Sequence, residues 1–222
     1  MMYRSLMLTL LIAGLVPGCY KSEISDKPAA EVSEGTATTA TETTDTAPVS
    51  GAAVANVIKE KSSINFVGAK VTRDHKGQFP NFDGRIEHVN GQPSKIAFDI
   101  DLTTIETDTP KLTEHLKTAD FFDVAKFPKA TFESTSIAPA PAGSPAGVTH
   151  EVKGTLNMHG VAKEVTIPVK TETTPEGLRA TSEFTINRHD WGISYRGAAD
   201  DLVRDDVLIR MDLLFPPPPQ AA

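Results

Sequence analysis

Apolar and polar residues alternate with a period of two along most of the chain between residues 54 and 215. From Ile96 to Thr103 the apolar residues Ile, Phe, Ile and Leu occupy every second position, and mostly polar residues occupy the positions between them. This pattern is typical of a half-buried antiparallel strand. The same alternation predicts strands at 165–170, 178–186 and 207–214, and weaker alternation predicts strands at 63–71, 78–89, 130–137 and 151–158.

Turn residues connect these predicted strands as neighbours. Asn90-Gly91 is a strong hairpin signal because both residues tolerate positive φ. His159-Gly160 and Pro175-Glu176-Gly177 stand between the next pairs of strands in a similar way. About eight antiparallel strands joined mostly by short hairpins favour an all-β sheet that removes its edges by closing into a barrel. Side chains nearly fill the interior of such a barrel, or it holds one small ligand.

A phenylalanine-rich stretch interrupts the strands between Thr118 and Ser134, where Phe121, Phe122, Phe127 and Phe132 stand within a dozen residues. The preceding residues 111–119 are predicted to form a short helix, and Phe127-Pro128 disfavours helical backbone. We consider two interpretations of this cluster. The rings plug the end of a β-core, or some of them line a cavity for an apolar ligand.

Composition limits the function classes. The formal net charge is -7, and no basic patch is evident, which argues against a nucleic-acid surface. The chain has a single cysteine, so it forms no intrachain disulfide. Its hydrophobic content of 39% is sufficient for a folded core.

The N-terminus has the pattern of an export signal. Arg4 precedes an apolar run, Leu6 to Val16, that is too short to span a bilayer. The run ends at Gly18-Cys19, which resembles the lipobox of bacterial lipoproteins, so we expect a signal peptide at 1–18 and lipidation of Cys19. The alternative is an ordinary signal peptide that is cut elsewhere. In both cases the protein is expected to be exported. Tyr20 after the cysteine favours the outer membrane over the inner membrane, which stays the alternative.

Two segments outside the barrel have little apolar content. Residues 19–53 are rich in Ser, Thr, Ala, Glu and Pro, and such a composition buries too little surface to offset its ordering entropy. We therefore predict a disordered tether with a root-mean-square span of roughly 30 Å. Residues 216–222 form a second terminal segment, and its four prolines are expected to end the last strand.

Three motifs resemble those of the YceI-like family. They are D-F-F-D-V-A-K-F-P-K-A-T-F-E-S at 120–134, G-T-L-N-M-H-G-V-A-K-E-V at 154–165 and F-T-I-N-R-H-D-W-G-I at 184–193. The resemblance covers 54–215. It implies an eight-stranded, antiparallel, lipocalin-like barrel with a short helical excursion. It also implies an elongated apolar channel that binds polyisoprenoid chains, quinone-like molecules or long-chain amides, usually in the periplasm.

The inward-facing residues of such a barrel are the candidate ligand contacts. Any one of them is more simply explained as core packing, so the hypothesis concerns the set. The candidates are Phe82, Ile86, Phe98, Ile100, Phe121, Phe122, Phe127, Phe132, Leu156, Met158, Ile167, Phe184, Ile186, Trp191, Ile209 and Met211.

Catalytic and metal-binding motifs are absent from the sequence. It contains no G-x-S-x-G elbow, no P-loop and no H-E-x-x-H, and its six histidines have no ligand spacing. Arg188, His189 and Asp190 are expected either at the barrel mouth, beside a polar head group, or in a surface turn. We therefore expect no enzyme, no metal and no required cofactor.

The sequence thus favours a membrane-tethered, periplasmic binding protein for a polyisoprenoid, a quinone-like molecule or another long apolar ligand. Two other classes stay open at this stage. A structural or inhibitory lipoprotein would have a filled barrel, and an enzyme acting on a lipid or quinone would have a polar residue inside the lumen. A homodimer is also open, and no protein partner is indicated.

Overall fold

The structure is a computed structural model that describes residues 20–34, 53–199 and 201–217. The described residues form fourteen strands, one α-helix and three short 3₁₀ turns. The first strands are β1 (Glu31–Glu34), β2 (Ala53–Asn56), β3 (Ser63–Ala69), β4 (Asp74–Gln78), β5 (Phe82–Val89), β6 (Gln92–Asp101) and β7 (Glu106–Thr107). After helix α1 (Pro110–Leu116) come β8 (Lys129–Pro139), β9 (His150–Met158), β10 (Val161–Thr174), β11 (Gly177–Asn187), β12 (Gly197–Ala198), β13 (Asp201–Leu202) and β14 (Asp206–Phe215).

One antiparallel sheet holds twelve of these strands. Its path is β2-β5-β6-β8-β9-β10-β11-β14-β3-β4-β7, and β1 pairs with β10 from outside this path. β5 and β4 each lie one strand in from an end of this path, and only residues 79–81 separate them along the chain, so the sheet curls round on itself.

The predicted fold class, an antiparallel lipocalin-like β-barrel with a short helix, is confirmed. The strand count differs from the predicted eight. If β4 and β5 are counted as one bent strand, the wall has eight long strands, namely β3, β4 with β5, β6, β8, β9, β10, β11 and β14. The additional strands β1, β2, β7, β12 and β13 have two to four residues each, which is too short to give an alternation signal.

The hairpins form where the turn residues predicted them. Asn90 and Gly91 have φ angles of 53° and 77° between β5 and β6, and His159 and Gly160 have φ angles of 52° and 75° between β9 and β10. Two consecutive positive φ angles are the requirement of the tight turn that matches the twist of a two-residue hairpin.

Helix α1 lies within the phenylalanine-rich excursion between β7 and β8. Its observed span, Pro110–Leu116, begins one residue before and ends three residues before the predicted 111–119. Pro110 occupies the first turn, where proline is well tolerated. Thr118 ends the helix, since its hydroxyl donates to the carbonyl of His115 at 2.8 Å. The chain then turns back, and the Phe122 amide donates to the carbonyl of Leu116 at 3.0 Å.

The prediction of a disordered tether over 19–53 is wrong for residues 20–34, which we call the N-terminal strap. The strap packs across the outside of β3 and β14 and ends in β1, which pairs with β10. Ile24 is only 6% exposed and forms a small cluster with Val67, Ala69 and Leu208.

Polar contacts also hold the strap. The Ser22 hydroxyl donates to Asp74 Oδ1 at 2.5 Å, and the Glu23 amide donates to Asp74 Oδ2 at 2.7 Å. Composition does not predict the strap, because composition reflects only the apolar side chains of a segment. The strap is held largely by hydrogen bonds to strands of the barrel.

The remaining terminal predictions fall mostly outside the described residues. The signal peptide at 1–18, Cys19, the rest of the tether and residues 218–222 are not described. β14 ends at Phe215, immediately before Pro216. Among the described residues, we find no helix that is long and apolar enough to cross a membrane.

The buried position of Ile24 gives a test of the strap. We expect Ile24→Ala to lower the free energy of unfolding by about 2 kcal/mol, because large-to-small substitutions at buried sites lose transfer energy and leave a cavity. Val71→Ala is the matched control, since Val71 is 57% exposed and its truncation should cost less than about 0.5 kcal/mol. Urea unfolding followed by circular dichroism measures both. Equal stability of the two variants would show that the strap does not pack on the barrel in solution.

Candidate apolar ligand cavity

A cavity of about 220 Å³ lies inside the barrel. Residues from β3, β6, β8, β9, β10, β11 and β14 line its wall, and residues of the excursion that contains α1 lie across it. The lining surface is almost wholly apolar. Such a lining suits a hydrocarbon ligand, since small-molecule sites are mostly apolar with a few placed polar groups.

The structure brings twelve of the sixteen candidate residues together around this cavity. On the strands these are Phe98, Ile100, Phe132, Leu156, Met158, Ile167, Phe184, Ile186, Ile209 and Met211, and Phe121 and Phe122 come from the excursion after α1.

Phe82 and Ile86 are buried in the core but do not line the cavity, at 3% and 2% exposure. Both face inward on β5, as predicted, with Gly84 between them on the same face. The ring of Phe98 lies over Gly84, so it occupies the inner face of β5 between these two side chains.

Phe127 and Trp191 also lie away from the cavity. The ring of Phe127 packs edge-on against His159 in the β9–β10 turn, with ring centroids 5.0 Å apart. Trp191 is fully buried; its indole N–H donates to the carbonyl of Leu156 at 3.2 Å, and its own carbonyl lies 3.0 Å from His159 Nδ1. His159 of the β9–β10 turn is therefore in contact both with Phe127 of the excursion and with the 3₁₀ turn Arg188–Trp191.

Several lining residues were not among the candidates. Sequence signals existed for some of them. Ile64 and Phe66 alternate on β3, Leu213 and Phe215 continue the inward face of β14, and the i, i+4 pair on α1 faces the barrel. The main omissions are Ile64, Phe66, Phe79, Leu102, Leu112, Leu116, Val152, Val169, Ile193, Leu213 and Phe215.

Three phenylalanine rings lie against the wall because each of them covers a glycine on the neighbouring strand. A Cβ atom built on Gly77, Gly84 or Gly154 would come within 3.0 Å of the ring of Phe66, Phe98 or Phe132, respectively. Each ring thus occupies the space that a side chain on the neighbouring strand would take. The lumen stays open because these rings lie along the wall and do not project across it.

One end of the cavity carries a buried arginine. The Arg188 guanidinium donates to the carbonyl of Ile193 at 2.6 Å, to the carbonyl of Arg204 at 3.0 Å and to Asp205 Oδ1 at 3.3 Å. Burial lowers the pKa of this guanidinium, and the Asp205 carboxylate acts in the opposite direction. Arginine stays protonated in proteins, so this end of the apolar lumen holds a positive charge.

Two other polar groups at this end, Lys70 and His75, are paired with carboxylates. Lys70 Nζ lies 2.9 Å from Asp201 Oδ2, and His75 Nδ1 lies 3.0 Å from Asp108 Oδ1. His189, next to Arg188, contacts Asp205 at 2.7 Å instead of entering the lumen. Of the predicted Arg-His-Asp group, Arg188 alone lines the cavity. Within the described residues, no three His, Cys, Asp or Glu side chains are grouped so that they could hold a metal ion.

An antiparallel barrel closed around an apolar cavity is the architecture of a binding protein for an apolar small molecule. Residues 56–215 match the family model of the YceI-like domain, and the chain belongs to this family. A UPF0312 protein of Pseudomonas putida is 32% identical over 143 residues, which cover 60% of this chain and 71% of the relative. Protein YceI of Salmonella newport is 35% identical over 96 residues, which cover 42% and 47%.

Solved structures share the fold at low sequence identity. BcnA of Burkholderia cenocepacia has a TM-score of 0.61 and 24% identity, over 71% of this chain and 98% of that one. A polyisoprenoid binding domain from Saccharophagus degradans, implicated in plant cell wall breakdown, has a TM-score of 0.55 and 19% identity, over 75% and 99%. These likenesses support the barrel fold independently of the family model.

The packing of rings on glycines generates a prediction. We expect Gly84→Ala to destabilise the barrel by about 1–3 kcal/mol, because the new methyl group forces the Phe98 ring off the wall. The displaced ring should also enter the lumen and weaken the binding of an apolar probe.

Gly68→Ala is the matched control. Gly68 also lies on a barrel strand, and a Cβ atom there meets no atom within 4 Å. Its stability in urea should therefore stay within about 0.5 kcal/mol of the wild type. If Gly84→Ala proves as stable as Gly68→Ala, the Phe98 ring does not depend on the glycine for its place.

Proposed function

We propose that this protein binds a long apolar molecule, such as a polyisoprenoid, a quinone-like compound or a fatty amide, inside the barrel. The observation that carries the proposal is the almost wholly apolar cavity, in which the lining residues Arg188, Arg204 and Lys70 lie together at one end. The structural relative described as a polyisoprenoid binding domain supports the same ligand class. The YceI-like family membership supports lipid binding in general.

The energy of such binding is sufficient without polar recognition. One isoprene unit buries of the order of 100 Å², which contributes roughly 2.5 kcal/mol before ordering costs. Two or three buried units would therefore give measurable affinity. Because hydrophobic burial is not directional, we expect the protein to accept ligands of related shape with graded affinity.

We further propose that Cys19 is lipidated and holds the protein on the periplasmic face of the outer membrane. The apolar run at 6–16 followed by Gly18-Cys19 supports this anchor. The strap bears on its geometry, because Ser22 already contacts Asp74 on the barrel. Three residues span at most about 11 Å, so the barrel would lie close to the bilayer surface and not at the end of a long tether.

Ligand binding is tested by titration with retinol, a fluorescent isoprenoid alcohol. We expect wild-type protein to bind retinol with one site per chain. Ala180→Phe places a ring in the cavity and should weaken binding at least tenfold, since Ala180 lines the lumen. Val54→Phe is the control, because Val54 is 38% exposed on the outside and should leave the affinity unchanged.

The outcomes of this titration distinguish a binding protein from a filled barrel. Failure of the wild type to bind retinol, free polyisoprenols, quinones and fatty amides would indicate a filled barrel, and the binding proposal would be abandoned. Equal binding by wild type and Ala180→Phe would place the ligand outside the lumen.

The anchor is tested by Cys19→Ser in a Gram-negative host. Wild-type protein should fractionate with outer membranes and carry an acyl-modified N-terminus by mass spectrometry. The variant should be recovered without acylation and outside the membrane fraction. An unmodified wild-type protein, or one that fractionates like the variant, would contradict the anchor.

A further inference from the structure

The ladder between β10 and β11 stops part of the way along these strands. The two strands pair from Thr174↔Gly177 to Lys170↔Thr181 and not beyond. Pro168 explains this end. Its carbonyl accepts a hydrogen bond from the Ser182 hydroxyl at 2.5 Å, so it faces β11. The N–H and C=O of one residue in an antiparallel strand point to the same neighbour, so the N–H that proline lacks would also have faced β11.

The N-terminal strap fills the gap that opens beyond Pro168. The Ala30 amide donates to the carbonyl of Thr185 on β11 at 2.8 Å, and the Thr185 amide donates to the carbonyl of Pro28 at 2.8 Å. On its other side the strap pairs with β10, where Glu31 lies opposite Thr166. The strap therefore enters the wall between β11, which residues 28–30 contact, and β10, along which residues 31–34 run. We call the space between residues 161–167 of β10 and 182–187 of β11 the wall slot.

The strap covers the hydrophobic core at the wall slot. Ala30 is 8% exposed and belongs to the main core cluster, and Val32 packs against that cluster. Cavity-lining residues stand on both flanks, with Ile167 on β10 and Phe184 on β11. The strap lies outside residues 56–215, the part of the chain that matches the family model.

The volume of the cavity is smaller than that of a long ligand. A cavity of about 150 Å³ holds one benzene molecule, so by proportion about 220 Å³ holds about nine carbon atoms, or roughly two isoprene units. Longer ligands need additional room. Removing one strand from the wall slot would separate β10 from β11 by about 9–10 Å, twice the normal strand spacing, which is wide enough for a hydrocarbon chain.

The part of the strap that pairs with β10 is short, and partly exposed ion pairs hold the residues before it. β1 has only four residues. Several other attachments of the strap, before β1, are partly exposed ion pairs. Glu23 pairs with Lys76 at 2.7 Å and with Arg210 at 2.9 Å, and Lys27 pairs with Glu183. Exposed ion pairs contribute little stability, and segments with few buried apolar contacts open at low free energy.

We propose that the wall slot is the entry site for the apolar ligand, and that residues 28–34 close it and leave it during loading. The proposal rests on the proposed function, since it assumes that the lumen holds a ligand. It assigns the strap a role in the rate of ligand exchange, beyond its contribution to stability.

A disulfide lock tests the entry site. Ser33 and Glu164 are opposite residues of β1 and β10, and the Ser33 hydroxyl contacts the Glu164 carboxylate on the outer surface. Opposite residues of antiparallel strands lie at a distance that suits a disulfide. The full chain would carry Ser33→Cys and Glu164→Cys together with Cys19→Ser, which removes the single native thiol. Stopped-flow fluorescence with retinol measures uptake.

We expect the oxidised lock to slow uptake at least tenfold, and reduction to restore the wild-type rate. The matched control is a disulfide at Asp83→Cys and Asp99→Cys, which are opposite residues of β5 and β6 in a wall that does not need to open. This control should load at the wild-type rate in both redox states. Equal uptake by the oxidised and reduced lock would overturn the proposal.

Ala30→Pro provides a test in the other direction. It removes the amide that donates to Thr185, so it should loosen the strap and accelerate uptake severalfold. The ligand enters elsewhere if the locked variant and Ala30→Pro both load at the wild-type rate. In that case the proposed function still holds as long as the wild type binds retinol. If the wild type binds no retinol, the proposed function itself fails, and the entry site fails with it.

Discussion

The lumen depends on a continuous ladder of backbone hydrogen bonds around the curled sheet. Unpaired edge groups in a wall that encloses an apolar space would be costly to bury, so each long strand needs a partner on both sides. The bend between β4 and β5 supplies this continuity at one place, because these two strands, each next to an end of the sheet, are parts of one stretch of chain. Beyond Pro168 the ladder between neighbouring strands fails, and the strap supplies the missing strand.

The open space inside this wall depends on a second constraint, the placement of the phenylalanine rings. Ten phenylalanines in 222 residues would readily fill a small barrel. Glycines 77, 84 and 154 on the neighbouring strands let three rings lie against the wall, so the inner surface is aromatic and the centre stays open. Such a lumen provides burial for a flexible hydrocarbon, and Arg188 supplies a fixed charge at one end.

Much of the barrel could be predicted from the sequence because alternation and turn chemistry are local properties. The hairpins at Asn90-Gly91 and His159-Gly160 formed as expected, and inward parity brought most candidate residues to the cavity. Alternation shows which residues face inward, but it does not show which other side chains cover them. Phe82 and Ile86 face inward and yet lie in the packed core, away from the cavity. The strap could not be predicted because its partners are strands far along the chain, and its own composition gives almost no folding signal. Pro168 is a local signal of the missing pairing between β10 and β11. It can be interpreted only when it is known that its carbonyl faces β11.

The central claim is that the barrel carries an apolar molecule, and native mass spectrometry of the full-length protein, gently extracted from cells, tests it most directly. The account predicts a one-to-one adduct of several hundred daltons that is lost on denaturation and is recovered in the organic phase as a long-chain lipid. A native mass equal to that of the polypeptide with its covalent modifications, unchanged after incubation with membrane lipid extract, would contradict it.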